Sequence, residues 1–458
     1  MLRKINWRST GLILSETVII VAAVYAAAYI RLGARPQDEL LADLPKALLI
    51  AAVTQLCLYF ADLYDFRVIG DRRELFVQSV QALGAAALVL AVLYFWFPDL
   101  VVGRLVAALT AAIVITVVFG WRGAFEWTTR RLAPRERLLI VGTNEGAVRL
   151  GRELYRRTDL GVEIVGFIDP DPARVGMPVI NPGVIGTIED IPAIVRARGV
   201  DQVVVSLSDA RGKLPMDKLL DMKLDGVRFE HLASVYERYT GKIAVDNLRP
   251  SWLIFSEGFE KRRSYELLKR GLDVLMAVSG LVIGLPVLIL VALAVRLSSP
   301  GPVLYHQARV GQRGRVFVLH KFRSMRVDAE DESGAVWAQA GDNRVTKIGP
   351  FLRRTRLDEL PQLWNVLCGH MSFVGPRPER PEFVTSLTRE IPYYGQRHIV
   401  RPGLTGWAQV RYTYGASVED ALMKLQYDLY YIKNRTLAFD MFILAKTVKT
   451  VLMRKGGQ

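Results

Sequence analysis

Residues 271–297 read Gly-Leu-Asp-Val-Leu-Met-Ala-Val-Ser-Gly-Leu-Val-Ile-Gly-Leu-Pro-Val-Leu-Ile-Leu-Val-Ala-Leu-Ala-Val-Arg-Leu. The run is long and apolar enough to cross a bilayer as a helix, for which about 20 residues suffice. Gly280, Gly284 and Pro286 punctuate its middle. A simple crossing would carry Arg309, Arg313, Arg315, Lys321, Arg323 and Arg326 to the far side of the membrane. Basic charge close to a membrane segment resists export, so the positive-inside rule disfavours that arrangement. Proline removes one helical hydrogen bond and clashes with the preceding turn. Pro286 can therefore break the helix so that it enters one leaflet and returns. A kinked spanning helix is the competing reading. On the re-entrant reading, everything after Leu297 stays on the side where the chain before Gly271 lies.

Which side that is follows from the start of the chain. Four apolar runs, 11–30, 44–61, 80–97 and 101–119, each approach bilayer length. Arg3, Lys4 and Arg8 precede the first, Arg67, Arg72 and Arg73 lie between the second and third, and Arg122, Arg130 and Arg131 follow the fourth. The outer loops carry mixed or little charge, so both ends of the four-helix unit are expected to face the cytoplasm. The first run is too long, and too closely followed by others, for a cleaved signal peptide. Glu16, inside it, is a functional intramembrane acid, faces a helix neighbour or lies near an interface.

The whole chain fits this setting. Its 458 residues are 51% hydrophobic yet carry a formal net charge of +15, so apolar and basic residues are segregated. Such a protein suits an anionic membrane surface or phosphorylated substrates. No helix-turn-helix or finger pattern accompanies the charge, and nucleic acid is not an expected partner. Cys57 and Cys368 imply no disulfide framework, and the five histidines have no zinc-ligand spacing.

From Arg137 the pattern changes to short apolar runs alternating with amphipathic stretches. Residues 138–142, 162–168 and 202–207 read as strands, and 146–156 and 188–198 as helices, which argues for a doubly wound parallel sheet. The turn Gly142-Thr-Asn-Glu-Gly146 lacks the three-glycine dinucleotide fingerprint. Asp169 stands where a ribose-binding acid would, but an Asp before a Pro is also an ordinary turn residue. A nicotinamide-dependent sugar-nucleotide enzyme is thus a rival reading, against which the missing glycine counts. Residues 230–261 read as an irregular linker.

Chemistry concentrates after residue 300. Leu352-Arg-Arg-Thr-Arg-Leu-Asp358-Glu359-Leu-Pro361-Gln-Leu-Trp-Asn365 sets two adjacent carboxylates behind three arginines, with Pro361 opening a helix. A positive helix end and nearby guanidinium groups favour ionised carboxylates and attract phosphate. The alternative is an N-cap on a surface helix. Residues 311–315 look like a hairpin turn, after which Lys321 and Arg323, two residues apart, can send two cations to one site. Gly375-Pro-Arg377-Pro holds an arginine between prolines, and Arg401-Pro-Gly-Leu-Thr-Gly406-Trp-Ala-Gln409 is another constrained turn. Together these supply cations for a diphosphate and carboxylates for a metal or for nucleophilic attack. A diphosphate beside Asp358 would recruit Mg²⁺, which prefers oxygen ligands. Residues 437–452, with Lys446 and Lys449 among apolar residues and Arg454 and Lys455 after them, suit an interfacial helix or a core helix.

The motifs Lys-Arg-Gly-Leu-Asp273, Lys321-Phe-Arg-Ser-Met, Leu357-Asp-Glu-Leu-Pro-Gln-Leu-Trp-Asn-Val, Met371-Ser-Phe-Val-Gly-Pro-Arg-Pro378 and Arg401-Pro-Gly-Leu-Thr-Gly-Trp-Ala-Gln-Val410 carry a resemblance. The chain resembles the long form of the bacterial polyprenyl-phosphate hexose-1-phosphate transferases, which initiate exopolysaccharide synthesis. The resemblance implies a phosphoglycosyl transferase of the bacterial inner membrane that moves a sugar 1-phosphate from a UDP-sugar to undecaprenyl phosphate. It implies Asp358 as nucleophile and metal ligand, Glu359 as its partner, and Mg²⁺ as cofactor. Lys321, Arg353 and Arg377 fall on its basic substrate positions, and Pro286 on the proline of its re-entrant helix. Arg323 joins them from its spacing to Lys321. Where many members continue with Asn-Gly-Arg, this chain reads Arg411-Tyr-Thr-Tyr-Gly415, so a further substrate arginine maps only loosely to Arg411. The sugar is not specified, and a homo-oligomer is compatible with all of this. The expected architecture is four transmembrane helices (1–135), a Rossmann-like α/β module (136–230), a linker (231–265) and a mainly α catalytic domain (266–458) with re-entrant helix 271–297.

Overall fold

The first three apolar runs become helices α1 (Trp7–Leu32), α2 (Gln37–Phe60) and α3 (Arg72–Trp96). Each contains a stretch long and apolar enough to cross a membrane. The computed structural model describes residues 7–33, 37–60, 63–64, 72–100, 109–110, 112–114, 116–118, 120–124, 128, 136–156, 160–206, 216–245, 256–261, 263–327, 329, 344–412, 415 and 417–452. Most of the fourth expected run's first half therefore lies outside the described residues, and a shorter apolar helix, Ala112–Ala124, follows it. Val114 and Val118 of that helix pack with Ile20 and Val24 of α1, Ala47 and Ile50 of α2, and Leu83 of α3. By compactness the chain divides into two units: residues 1–140, 151–203 and 212–228, and residues 141–150, 204–211 and 229–458.

Glu16 faces a helix neighbour. Arg122 donates from Nε to its Oε1 at 2.6 Å and from Nη2 to its Oε2 at 3.0 Å. The Tyr64 hydroxyl donates to the same Oε2 at 2.5 Å, and Arg122 Nη1 donates to the Leu63 carbonyl at 2.9 Å. Both charged side chains are buried, and a bidentate pair with each guanidinium nitrogen bonded is how a membrane-embedded charge becomes tolerable.

The middle of the chain forms β1 (Glu136–Val141), α4 (Glu145–Arg156), β2 (Val162–Ile168), β3 (Val184–Gly186), α5 (Ile191–Arg198), β4 (Gln202–Val205), α6 (Met216–Leu224) and β5 (Arg228–His231). The sheet order is β3-β2-β1-β4-β5, with β2 and β3 parallel. The last four residues of β1 are buried, as expected of a strand covered on both faces.

Part of the expected irregular linker, 231–265, is a helix, while its residues 246–255 and 262 lie outside the described residues. Helix α7 (Leu232–Thr240) follows directly on β5 and ends at Gly241, whose left-handed φ of 69° closes it. Val235, Tyr236, Ile243 and Val245 are buried. Ile243 and Val245 belong to the same core as Trp407, Leu425 and Tyr431. The segment after α7 packs into that core, and α7 itself is tied to it by Glu237, which accepts from Lys433 at 2.7 Å and Asn434 at 2.8 Å.

The decisive run lies within α8 (Arg263–Ser298), a single 36-residue helix with Pro286 inside it, so Pro286 does not divide the segment into two separate helices. Its two halves nevertheless rest on the same unit. Ala277 packs with Phe317, Leu319, Val366 and Met371. Val291 and Val295 pack with Phe322 and Leu352. Between these anchors Val282, Ile283, Leu285 and Leu290 are exposed.

After α8 come β6 (Leu304–Val310) and β7 (Val316–Phe322), paired antiparallel from Leu304↔Phe322 to Val310↔Val316. The expected hairpin turn is there, with Arg313 at φ 56°. Helices α9 (Gly349–Thr355), α10 (Gln362–Leu367), α11 (Pro381–Glu390), α12 (Trp407–Arg411), α13 (Val418–Asn434) and α14 (Leu437–Leu452), with the short parallel pair β8 (Ser372–Val374) and β9 (Gly403–Thr405), complete the unit. α14 buries Phe439 and Ile443 in the core and leaves Met441, Phe442 and Val448 exposed, so core and interfacial readings each describe one face.

Candidate active site

Asp358 and Glu359 lie in a single 3-10 turn, Leu357–Glu359, between α9 and α10. The turn runs through Leu360 into Pro361, the N-cap of α10, so the pair stands just ahead of a short helix. Arg356 takes a left-handed φ of 58° to end α9 and start the turn. Leu352, Leu357 and Leu360 hold the turn against Val291, Val295 and Phe322, so the membrane helix forms the floor of the site. Asn365 Nδ2 donates to the Val318 carbonyl at 2.7 Å, and the His320 amide donates to Asn365 Oδ1 at 3.0 Å. This double bond fixes β7, and with it Lys321, beside the carboxylate turn.

Three glycines place Arg377. A Cβ on Gly375 would lie 2.4 Å from the Arg401 carbonyl, one on Gly403 2.1 Å from the Gly375 amide, and one on Gly406 2.2 Å from the Gly375 carbonyl. The two constrained turns thus interlock backbone to backbone, and only glycine permits it. Arg377 Nη2 then donates to Glu359 Oε1 at 3.0 Å, and Arg356 Nη1 approaches the same oxygen at 3.3 Å. Beneath, Arg397 donates to the Arg377 carbonyl at 3.1 Å. Arg397 is itself held by buried Asp428, at 3.1 Å from Nε and 2.8 Å from Nη2.

The two carboxylates differ in charge state. Burial opposes the charge of Glu359, but Arg377, Lys321 and Arg356 together outweigh it and hold the carboxyl down at about 2. Burial and the adjacent Glu359 push Asp358 up to about 6, against the pull of Lys321, Arg356 and Arg353. Its Oδ1 is buried with no hydrogen-bond partner among the described residues. Burial likewise brings Lys321 down to about 8, with Glu359 working the other way. The expectation of two ionised carboxylates thus holds for Glu359, while Asp358 titrates near neutrality.

A cavity of about 490 Å³ opens over the pair, and Lys321, Arg323, Arg353, Asp358, Glu359 and Arg377 all line it. Arg353 Nε donates to Ser324 Oγ at 3.0 Å. Arg323 does not join Lys321 at the carboxylates: its Nη atoms donate to the Ser299 and Pro300 carbonyls at 2.7 and 2.8 Å. β7 ends at Phe322, so strand alternation no longer governs Arg323. Arg411 lies with its guanidinium 4.4 Å from the Trp407 ring and does not line the cavity. Arg309, Arg356, Arg397 and Asp428 also line it. Of these the sequence had noted only Arg309 and Arg356, as charge. No group of three or more acidic, His or Cys side chains suited to a metal occurs among the described residues. Magnesium needs no such cage when substrate phosphates and waters complete its shell, so unpartnered Asp358 Oδ1 fits it.

The Bacterial sugar transferase family matches residues 264–454, and the CoA-binding domain family matches residues 59–216. The chain is 33% identical over 381 residues to a UDP-glucose:undecaprenyl-phosphate glucose-1-phosphate transferase of Xanthomonas campestris pv. campestris, covering 79% of this chain and 73% of that protein. A protein of the same name from Escherichia coli is 35% identical over 335 residues, 70% of this chain and 69% of its own. A UDP-N-acetylgalactosamine-undecaprenyl-phosphate N-acetylgalactosaminephosphotransferase of Aeromonas hydrophila is 44% identical over 228 residues. That match takes in 50% of this chain and 53% of the relative, so the chain spans about half its length.

The residues of the central module do not fit the phosphates of CoA. The start of α4, where a phosphate would sit, is capped from within: Asn144 Oδ1 accepts from the Ala147 amide at 3.0 Å and from Ser206 Oγ at 2.8 Å. Glu145 adds a negative charge to the same turn. Motifs, fold and relatives agree, and the chain belongs to the bacterial sugar transferase family, in the long form that carries membrane helices and a CoA-binding-like module ahead of the transferase unit.

Proposed function

We propose that this chain transfers a sugar 1-phosphate from a UDP-sugar to undecaprenyl phosphate through a covalent intermediate on Asp358. The observation that carries the reading is the buried Asp358–Glu359 pair, unequal in ionisation, beneath a cavity lined by arginines and a lysine. A carboxylate that titrates near 6 is still ionised at neutral pH and is a better nucleophile than an ordinary one. An Asp358 oxygen attacks the phosphorus that bears the sugar, and the bond to the uridylyl oxygen breaks, releasing UMP with the electron pair. An oxygen of undecaprenyl phosphate then attacks the same phosphorus. The aspartyl bond breaks, the carboxylate returns, and an undecaprenyl diphosphate sugar leaves. Lys321 and Arg377 neutralise charge on the phosphoryl oxygens, and Arg353 sits within electrostatic reach of Asp358. Ionised Glu359 fixes Arg377 and Arg356 in place. Mg²⁺, held by Asp358 with the donor phosphates, would add further neutralisation of the diphosphate.

The catalytic unit belongs on the cytoplasmic face in this proposal, with α8 re-entrant about Pro286. Anchorage of both halves of α8 on one unit supports it, and the exposed apolar side chains along the helix are left for lipid. The outward apolar residues of α14 would rest on the anionic leaflet beside it. The test is incubation of the purified enzyme with a UDP-sugar labelled in its β-phosphate and no lipid acceptor. Label on the protein with equimolar UMP supports the proposal. UMP release that requires the acceptor, with unlabelled protein, would establish direct displacement instead. A panel of UDP-hexoses in the same assay identifies the sugar.

A further inference from the structure

The proposed double displacement places two different groups in turn at one position. UMP leaves from the side opposite Asp358, and the lipid phosphate attacks from the side UMP has vacated. The sugar stays bonded to phosphorus throughout, so it needs a lobe of its own that neither exchange disturbs. The cavity wall nearest the end of α8 mixes apolar Pro302, Leu304, Phe322 and Met325 with Arg323 and Arg326, and suits a lipid phosphate. The wall contributed by α12 and α13 is polar and aromatic, and includes Gln409, Tyr412 and Asp428. There the Gln409 amide nitrogen is buried with no hydrogen-bond partner among the described residues. Such a donor is costly to leave unmade, and a ligand acceptor would satisfy it.

Its mount is rigid. Trp407, two residues earlier on the same short helix, donates from Nε1 to the Gly241 carbonyl at 3.0 Å, and Arg411 covers its ring. The Tyr412 hydroxyl donates to Asp420 Oδ1 at 2.7 Å, while Asp420 caps α13 through Ser417. We propose that Gln409, with Tyr412 beside it, forms the lobe that binds the sugar ring of the donor, the amide donating to a hydroxyl or acetamido oxygen. This rests on the transferase reading above.

The experiment uses the full-length enzyme in lipid nanodiscs, with UMP release measured across UDP-glucose, UDP-galactose and their N-acetylamino counterparts. If the wild type releases UMP from none of them, the transferase reading fails before the lobe is tested. Given activity, Gln409→Leu should lower kcat/KM for the preferred donor about 10- to 100-fold and narrow its preference over the other sugars. Inhibition by UMP should stay within about twofold of wild type, since the nucleotide makes no contact there. Gln409→Glu, which keeps the shape and loses the donor, should behave alike and guards against a folding defect in the leucine variant. A parallel loss of UMP inhibition would assign the lobe to the nucleoside and overturn the proposal. So would unchanged selectivity in a variant that melts like wild type.

Discussion

Arg377 donates to Oε1 of Glu359 at 3.0 Å, and this contact makes Glu359, not Asp358, the permanently charged member of the pair. Removing the guanidinium leaves a buried carboxylate with Lys321 and Arg356 as its remaining cations and strips one cation from the phosphate site. Arg377→Ala should reduce kcat/KM by about 100-fold or more, in the range seen for lost transition-state donors. Arg377→Lys should recover little, because an ammonium cannot reproduce the guanidinium fork. Steady-state UMP release measures both.

Asp358→Asn should abolish turnover and protein labelling alike, because an amide does not attack phosphorus. It should also stabilise the fold. The folded-state pKa of Asp358 is raised to about 6, so its charge costs nothing below the ordinary value near 4 and costs most above 6. A two-unit shift corresponds to roughly 2–3 kcal/mol. The variant should therefore melt higher than wild type at pH 8 and show no such gain at pH 4. A melting scan at the two pH values decides it.

The pH profile of kcat/KM should be bell-shaped. Activity rises as Asp358 ionises, through about 6, and falls as Lys321 loses its proton, through about 8. Lys321→Arg should remove the alkaline limb and leave the acidic one, whatever it does to the maximum.

In the membrane part, Arg122→Ala leaves Glu16 buried with Tyr64 alone. Breaking one side of a buried pair costs about 3–5 kcal/mol, whereas replacing both partners costs much less. Arg122→Leu combined with Glu16→Leu should therefore be more heat-stable in detergent than Arg122→Ala alone.

Single cysteines at Glu260 and Arg313, in a chain lacking Cys57 and Cys368, report the path of α8. Both should resist an impermeant thiol reagent in intact cells and react after lysis. Reaction at position 313 alone in intact cells would establish a full crossing. Pro286→Leu should move part of the population that way and reduce activity with it.

The legible parts of this molecule were those encoded locally. The Asp358–Glu359 turn, the lysine on β7 and the proline-flanked Arg377 are each fixed by a few neighbouring residues, and the structure brings all three together. Arg323 lines the same cavity as Lys321, but its bonds to the Ser299 and Pro300 carbonyls could not be read, because the strand ends one residue before it. The Arg397–Asp428 support was invisible, since its partners lie 31 residues apart on different elements. The split between two adjacent carboxylates could not be read either, because it comes from burial and from cations that arrive through long-range packing. Helix α7 had a signal that went unused: Gly241 at its end is a helix stop, and Val235, Tyr236 and Tyr239 share an apolar stripe.

That helix bears on where this protein can be cut. The family match begins at residue 264, yet Ile243 and Val245 are part of the core around Trp407, and Glu237 binds Lys433 and Asn434 at 2.7 and 2.8 Å. A fragment begun at residue 264 would open a furrow beside α13, expose Trp407 and leave its indole nitrogen without the Gly241 carbonyl. One begun near residue 229 keeps that furrow filled. The boundary of homology and the boundary of autonomous folding are therefore some 35 residues apart, about the length of one small supersecondary unit.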